Sequence, residues 1–270
     1  MAFQVGVQCM RRGDATQRHG QYGSRYKGNA EGTWRIGLER KREENRLFIA
    51  HTIDTNQKKK KNPSRETMSD TGVQFAPLQN TCEFLNALHV YSEEARHNIT
   101  RYVEATHFCS HVRPGVRQCL IYDSPNKDAR LIGVEYMITK ENYDKLPDDE
   151  KRLWHSHDFE VKSGMLFLPR PENADHQEWE KAETEAMKEI VGLYGKTWHF
   201  WQIDRGDELP IGYPTLMGSL TEENQVDLDS ALRERNARFN VDHHQKAKQR
   251  EIIKKPEIDP LANYWWKERR

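Results

Sequence analysis

Three consecutive segments with strand periodicity, joined by short turns, constrain the fold more than any other part of the sequence. In residues 103–111, apolar and polar side chains alternate, which is the spacing of a half-buried strand. Pro114-Gly115 and the Asp-Ser-Pro-Asn sequence at 123–126 are turn sequences, and they separate this strand from two more at 116–122 and 130–138. Because such turns reverse the chain within a few residues, we predict an antiparallel meander.

Further strands and a long helix are predicted after the meander. Residues 165–168 form an apolar run closed by prolines, and residues 197–203 contain three aromatic side chains, so both are predicted to be strands. Between them, residues 175–194 have apolar side chains on one helical face, and Asp175 and Glu178 have capping-box spacing. This helix should cover the sheet.

Two weaker helices complete the predicted domain. Asn80 and Glu83 again have capping-box spacing and precede an apolar stripe that ends at Tyr91, so a helix is predicted there. Residues 228–239 are weakly amphipathic. The predicted fold class is therefore α+β, with an antiparallel sheet of five or more strands covered by amphipathic helices in a domain from residue 75 to 245.

Residues 1–67 are predicted to be a disordered basic arm, because they show no sustained periodicity. They carry 15 Lys and Arg against 7 Asp and Glu, although the whole chain carries 42 of each. The rest of the chain is therefore acidic, which argues against a specific nucleic-acid surface. Two alternatives stay open for the arm: that the native protein starts at Met68, or that the first 30 residues are a transit peptide.

Cysteine usage and hydropathy predict a cytoplasmic protein. Cys9, Cys82, Cys109 and Cys119 include no Cys-x-x-Cys pair, so reduced thiols are expected. No apolar run approaches the roughly 20 residues that cross a bilayer, and the start of the chain does not have the order of charges of a signal sequence. No transmembrane segment is therefore predicted.

The densest chemistry lies in residues 153–168, which contain His155 and His157. If this segment is extended, residues two apart point to the same face of a sheet, so both imidazoles lie together. His107 and His111 share a face of the first predicted strand.

These four histidines, with Glu160 as a carboxylate ligand or base, make a candidate Zn or Fe site. The default interpretation is structural, because a His-x-His pair is common in half-buried strands where each ring hydrogen-bonds a neighbour. No metal is predicted under that default. The sequence contains neither His-Glu-x-x-His nor Gly-x-Ser-x-Gly, and no catalytic residue is predicted.

Residues 246–270 form a predicted C-terminal tail in which aromatic and basic residues meet. This combination is typical of segments that rest on a lipid surface, and docking of the tail on its own domain is the equal alternative. The residues proposed for lipid contact are Tyr264, Trp265, Trp266, Lys267, Arg269 and Arg270.

Several contiguous blocks give the segment 80–220, roughly half of the chain, a specific resemblance to a known family. They are His107-Phe108-Cys109-Ser110-His111, 117–123, 131–138, Trp154-His155-Ser156-His157 with 163–166, 191–196 and Asp204-Arg205-Gly206-Asp207. These blocks resemble the oil-body-associated proteins, a family of unknown biochemical function.

The resemblance implies association with lipid droplets, where plant members are found in seeds, and supplies no established catalytic residues. The sequence has no long apolar hairpin like that of oleosins, so droplet contact should be peripheral. The leading interpretation is a non-catalytic, cytoplasmic protein at the lipid-droplet surface that contributes to droplet stability or organisation. The alternative is a metal-dependent enzyme or small-molecule-binding protein that uses the histidine-rich site.

Overall fold

The computed structural model describes residues 75–268, and every structural statement below refers to them. The predicted arm at 1–67 and the alternative start at Met68 lie outside these residues. The strands are β1 Glu83–Tyr91, β2 Tyr102–Arg113, β3 Val116–Tyr122, β4 Leu131–Ile138, β5 His155–Ser156, β6 Tyr194–His199 and β7 Thr215–Gly218. The α-helices are α1 Ala76–Gln79, α2 Ser92–Arg96, α3 Lys140–Tyr143, α4 Asp148–Lys151, α5 Asp158–Lys162, α6 His176–Ile190, α7 Leu228–Phe239, α8 His243–Gln249 and α9 Tyr264–Lys267.

All seven strands belong to one antiparallel sheet, in the order β4-β3-β2-β1-β7-β6-β5. In addition β4 pairs with β6, in a register that runs from Gly133 opposite His199 to Ile138 opposite Tyr194. This pairing closes six strands into a ring, with β5 attached to the first residues of β6. The predicted antiparallel sheet of five or more strands is confirmed, and its closure creates an interior that the sequence patterns did not predict.

The meander and the long helix were predicted correctly. β2, β3 and β4 pair as consecutive antiparallel neighbours, and Gly115 takes a left-handed φ of 72° in the two-residue turn between β2 and β3. In α6, the side chain of Asp175 caps the helix by accepting a hydrogen bond from the Glu178 amide at 3.0 Å. The buried face of α6 packs on the largest apolar cluster of the domain, so the helix covers the sheet.

The helix predicted from Asn80 to Tyr91 is wrong, because this segment is strand β1. Seven consecutive residues, from Leu85 to Tyr91, are buried, so the strand is covered on both faces. A strand that is buried on both faces does not alternate, and its apolar positions can match helical spacing by chance.

The strand predicted at 165–168 is wrong, and the extended conformation considered for the preceding histidine segment is limited to two residues. Only His155–Ser156 is strand, and the chain turns directly into α5. Gly164 then takes a left-handed φ of 75° after the helix, and residues 165–168 form no strand apart from one bridge between Phe167 and Asn86. This compact turn brings more groups to one place than a straight strand would.

The expectation of reduced cysteines is wrong for the central pair. Cys109 on β2 and Cys119 on β3 lie directly opposite each other, with 4.0 Å between their Cα atoms, and form a disulfide. The short hairpin sets this register, so two residues that are ten apart in the sequence become cross-strand neighbours.

The predicted C-terminal tail is part of the folded body. Helix α8 spans the predicted boundary at residue 245, and Arg250, Trp265 and Trp266 are buried. None of the helices between residues 75 and 268 is long and apolar enough to cross a membrane.

Candidate metal centre

A buried carboxylate, Glu135, lies inside the closed sheet and is surrounded by imidazoles. Glu135 is on β4 between Gly133 and Met137, and all three face the interior. The pairing of β4 with β6 places Glu135 opposite Thr197. Residues from β1, β2, β5 and the start of α5 then reach the carboxylate.

On one side of Glu135 lie His89 from β1 and His107 from β2. The Nε2 atom of His107 is 3.0 Å from Glu135 Oε2 and 3.0 Å from His89 Nε2. The Nε2 atom of His89 is 3.9 Å from the same carboxylate oxygen. We call these three side chains the first triad. Behind them, His199 on β6 places its Nε2 2.9 Å from His89 Nδ1.

On the other side of Glu135 lie His155 and His157, which with Glu135 form the second triad. Glu135 Oε1 is 3.2 Å from His155 Nε2 and 3.5 Å from His157 Nε2. Glu160, one turn into α5, brings its Oε2 to 3.7 Å from His157 Nε2. The hydroxyl of Ser219 donates to the other Glu160 oxygen at 2.5 Å, which fixes the orientation of that carboxylate.

Backbone carbonyls orient two of the rings. His107 Nδ1 is 3.1 Å from the carbonyl of Ala105, and His157 Nδ1 is 3.0 Å from the carbonyl of Leu193. A carbonyl only accepts hydrogen bonds, so each Nδ1 carries the proton. In a neutral ring the Nε2 lone pair then points at Glu135, and this is the usual arrangement of a metal-binding histidine.

Several polar atoms of the centre have no hydrogen-bond partner, although they are buried. They are both oxygens of Glu135, both ring nitrogens of His155, Oε2 of Glu160 and Nδ1 of His199. Buried polar atoms are almost always paired, and each unpaired one carries a desolvation penalty. Such a concentration around one carboxylate indicates that a further group belongs there.

The electrostatics show what kind of group fits. Burial and the neighbouring His107 and His199 hold the pKa of His89 well below its ordinary value, and burial lowers the pKa of His199 to about 3. Burial opposes ionisation of Glu135, but the nearby imidazoles of His107, His155 and His157 outweigh it and hold the Glu135 pKa well below its ordinary value. The centre therefore combines an ionised carboxylate with at least two neutral imidazoles.

A glycine on β6 makes room for this arrangement. A Cβ atom at Gly195 would lie 2.3 Å from Glu135 Oε1 and 2.7 Å from His155 Nε2. No side chain can occupy that space without moving the two groups. Gly195 therefore allows the carboxylate and the imidazole to lie directly over the strand.

The structure brings together three of the five residues that the sequence suggested as metal ligands, His107, His155 and His157, and places Glu160 beside them. His111 is elsewhere: it is half-buried near the end of β2, and its Nε2 lies 3.2 Å from Glu83 Oε1. Sequence reasoning missed Glu135 and His89 as members of the site. One signal for Glu135 was available, because an acid on the inward face of an apolar strand needs a compensating partner.

The tryptophans proposed for lipid contact pack inside the domain, next to Ser219, whose hydroxyl contacts Glu160 of the centre. Trp265 and Trp266 are buried, and the Trp266 indole donates to the carbonyl of Ser219 at 2.7 Å. Lys267 Nζ donates to two carbonyls of its own segment, Tyr264 pairs with Glu268, and Arg269 and Arg270 lie outside the described residues.

Asn263, just before α9, holds the segment between the two histidines of the second triad. Its side-chain oxygen accepts from the Ser156 amide and its side-chain nitrogen donates to the Ser156 hydroxyl, both at 2.9 Å. The C-terminal segment therefore fixes the position of His155 and His157.

Comparison with known proteins identifies the family. A family model described as "Protein of unknown function (DUF1264)" matches residues 75–254. Oil body-associated protein 1A of Zea mays is 43% identical over 202 residues, which cover 73% of this chain and 79% of that protein. Oil body-associated protein 1B of Arabidopsis thaliana is 40% identical over 200 residues, covering 73% and 78%. No solved structure matches the chain. With matches of this length and identity, the chain contains the DUF1264 domain and belongs to the oil body-associated protein family.

Proposed function

We propose that the protein binds a transition-metal ion at the Glu135 centre. The observation that supports this most strongly is the environment of the Glu135 carboxylate. Both of its oxygens are buried and lack a hydrogen-bond donor of acceptable geometry, yet each faces imidazole Nε2 atoms at 3.0–3.9 Å. Imidazole nitrogen and carboxylate oxygen together are typical ligands of Zn²⁺ and Fe²⁺.

The competing explanation is a metal-free network of protonated histidines. Burial lowers the pKa of His157, but Glu135 and Glu160 together raise it to about 9, so an imidazolium paired with Glu135 is a consistent state of this one ring. A single such proton leaves both nitrogens of His155 unpaired. Protonating several rings would bury several cations around one carboxylate, at a cost of several kcal/mol for each uncompensated charge. A metal ion would give the Glu135 oxygens and His155 Nε2 a partner while the rings stay neutral.

Elemental analysis of the full chain, purified without chelators, tests the metal proposal. We expect about one ion or more per chain in the native protein and a loss of most of it in Glu135→Gln, which keeps the shape of the side chain. His111→Ala is the matched control, because His111 lies on the same strand as His107 but outside the centre. If the native protein and the His111→Ala control, purified in the same way, both contain no metal, the proposal is contradicted.

A second function is supported by the relatives, which are named oil body-associated proteins. We infer that this chain also associates with oil bodies, that the contact is peripheral, and that it contributes to droplet stability or organisation. The buried tryptophans are not available for that contact in this fold. An exposed apolar loop between β6 and β7 offers it instead: Leu209, Ile211 and Tyr213 are 67%, 56% and 93% exposed.

Flotation with artificial droplets, made of a triacylglycerol core and a phospholipid monolayer, tests this second function. The native chain should float, and a variant with serine at positions 209, 211 and 213 should remain in solution. Ile252→Ser is the control, since Ile252 is also apolar and exposed but lies far along the chain from the loop. Failure of the native chain to float would contradict the association, whereas equal flotation of both would exclude only the loop.

A further inference from the structure

We propose that the Glu135 centre holds two metal ions, one in each triad, with the Glu135 carboxylate as the bridge between them. This inference rests on the metal-binding function proposed above and goes beyond it in the number of ions and in the role of Glu135. Two features of the centre indicate a second ion: the spacing of the donor atoms within each triad, and the different carboxylate oxygen that each triad uses.

The first triad already has the spacing of three ligands around one ion. Donor atoms that bind the same Zn²⁺ at about 2.0–2.2 Å lie about 3–4 Å from one another. The three distances among His89 Nε2, His107 Nε2 and Glu135 Oε2 are 3.0, 3.0 and 3.9 Å. The proton on His107 Nδ1 leaves the Nε2 lone pair free for the ion, and the His199 ring lies in hydrogen-bonding contact with His89 from behind.

The second triad, on the other side of Glu135, also has its donor atoms close enough together to bind one ion. Glu135 Oε1 lies 3.2 and 3.5 Å from His155 Nε2 and His157 Nε2, and the ligand atoms of the triad all lie within 4.8 Å of one another. Glu160 Oε2, which has no hydrogen-bond partner, is 3.7 Å from His157 Nε2 and adds a fourth donor.

The two triads share only Glu135, and each uses a different oxygen of its carboxylate. A carboxylate with one oxygen toward each of two donor sets has the form of a bridge, and bridged ions are typically about 3.5–4 Å apart. An ion in one triad alone would leave the imidazole pair of the other triad, and the second oxygen of Glu135, without a cation.

Charge adds a further expectation. Glu135 and Glu160 are the two acidic side chains at the centre, and together they offset half the charge of two divalent ions. We therefore expect a hydroxide, formed from water with release of one proton to solvent, to complete the coordination between the ions. Because the ligands are almost fully buried, only water or another small molecule would fit beside the ions.

Titration of the chelator-treated full chain with cobalt(II) chloride tests the proposal, with visible absorption and a binding isotherm as readouts. We expect saturation at about two ions per chain in the native protein. The variants His89→Ala plus His107→Ala and His155→Ala plus His157→Ala should each retain about one ion. Circular dichroism checks that each variant is folded.

The possible failures are distinguishable. Saturation of the native protein at a single ion would overturn the two-ion proposal and leave metal binding intact, whereas no binding would overturn metal binding itself. If the double variants do not fold, electron paramagnetic resonance of the native chain loaded with manganese(II) decides the question. An exchange-coupled spectrum is the expected result, and the spectrum of isolated manganese ions would contradict the bridge.

Discussion

Among residues 75–268, two clusters have the composition of a metal site, and they differ in almost every other respect. The Glu135 centre is buried inside the closed sheet, whereas Asp229 on α7 forms a second cluster with His243 and His244 of α8 at the surface. In the surface cluster, Asp229 Oδ1 accepts from His244 Nε2 at 2.7 Å, and the two side chains are 67% and 71% exposed.

The comparison shows why burial, more than composition, distinguishes a site. In the surface cluster, Asp229 and His244 are exposed to water, and the buried His243 already has Asn236 and Asp229 as partners. Its ion pairs therefore need no further partner and contribute little to stability. At Glu135, water is excluded, and unpaired atoms keep their full desolvation penalty until a cation joins them. We therefore expect metal affinity at the buried cluster and no specific affinity at the surface cluster.

The largest difference in metal affinity between the two clusters should appear when the carboxylate of each cluster, Glu135 or Asp229, is replaced by its amide. Glu135→Gln removes a charged ligand, and we expect metal affinity to fall by more than about 100-fold, above the effect of losing an outer-shell partner. Asp229→Asn is the same chemical change at the surface cluster and should leave the affinity unchanged. Isothermal titration with zinc(II) measures both, and equal losses in the two variants would remove the distinction between the clusters.

Removal of the metal should lower thermal stability through the buried centre alone. An ion present at 100 times its dissociation constant stabilises the native state by about 2.7 kcal/mol, which for a domain of this size corresponds to about 5–10 °C in melting temperature. Differential scanning calorimetry with and without chelator should show this shift in the native chain and in Asp229→Asn. A shift of the same size in Glu135→Gln would contradict the assignment.

A methyl group beside the centre should disturb it without changing any ligand. Gly195→Ala places a Cβ against Glu135 and His155, so we expect about a 10- to 100-fold loss of metal affinity, as for other changes around the ligands. Gly192→Ala is the matched control, because its new Cβ would meet one backbone oxygen at 3.9 Å. Full metal content in Gly195→Ala would show that the centre is less rigid than the geometry indicates.

The smallest loss of metal affinity is expected at Asn263, through which the C-terminal segment holds the second triad in place. Asn263→Gly removes both hydrogen bonds to Ser156 while keeping a residue that tolerates the left-handed backbone, and we expect about a 10-fold loss of metal affinity. The matched control is Asn240→Gly. Asn240 is another left-handed asparagine, at the C-terminal cap of α7, and its replacement should have no effect on metal affinity. Equal affinity of both variants would limit the role of the C-terminal segment to packing.

Local sequence patterns were sufficient for the elements that show one buried face. The strands β2 to β4 alternate and are joined by short turns, and α6 has a clear cap, so both were predicted correctly. β1 was mistaken for a helix because it is buried on both faces and has no alternation. Periodicity carries no information about such strands.

The candidate site could be predicted only in part, because its members are far apart in the chain. His155 and His157 stood out as a pair, and His107 lay on a predicted strand. Glu135 became their neighbour only through the pairing of β4 with β6, which closes the sheet and which no local pattern shows. His89 was hidden in the strand that was mistaken for a helix.

Metal binding at Glu135 is tested by the metal content of the full chain, measured by mass spectrometry of the elements after chelator-free purification and desalting. The native protein should retain at least about one equivalent of a transition metal, and Glu135→Gln should retain almost none while keeping the same circular dichroism spectrum. A native protein that is free of metal, or a Glu135→Gln variant that keeps the native content, would show that Glu135 does not hold a metal ion.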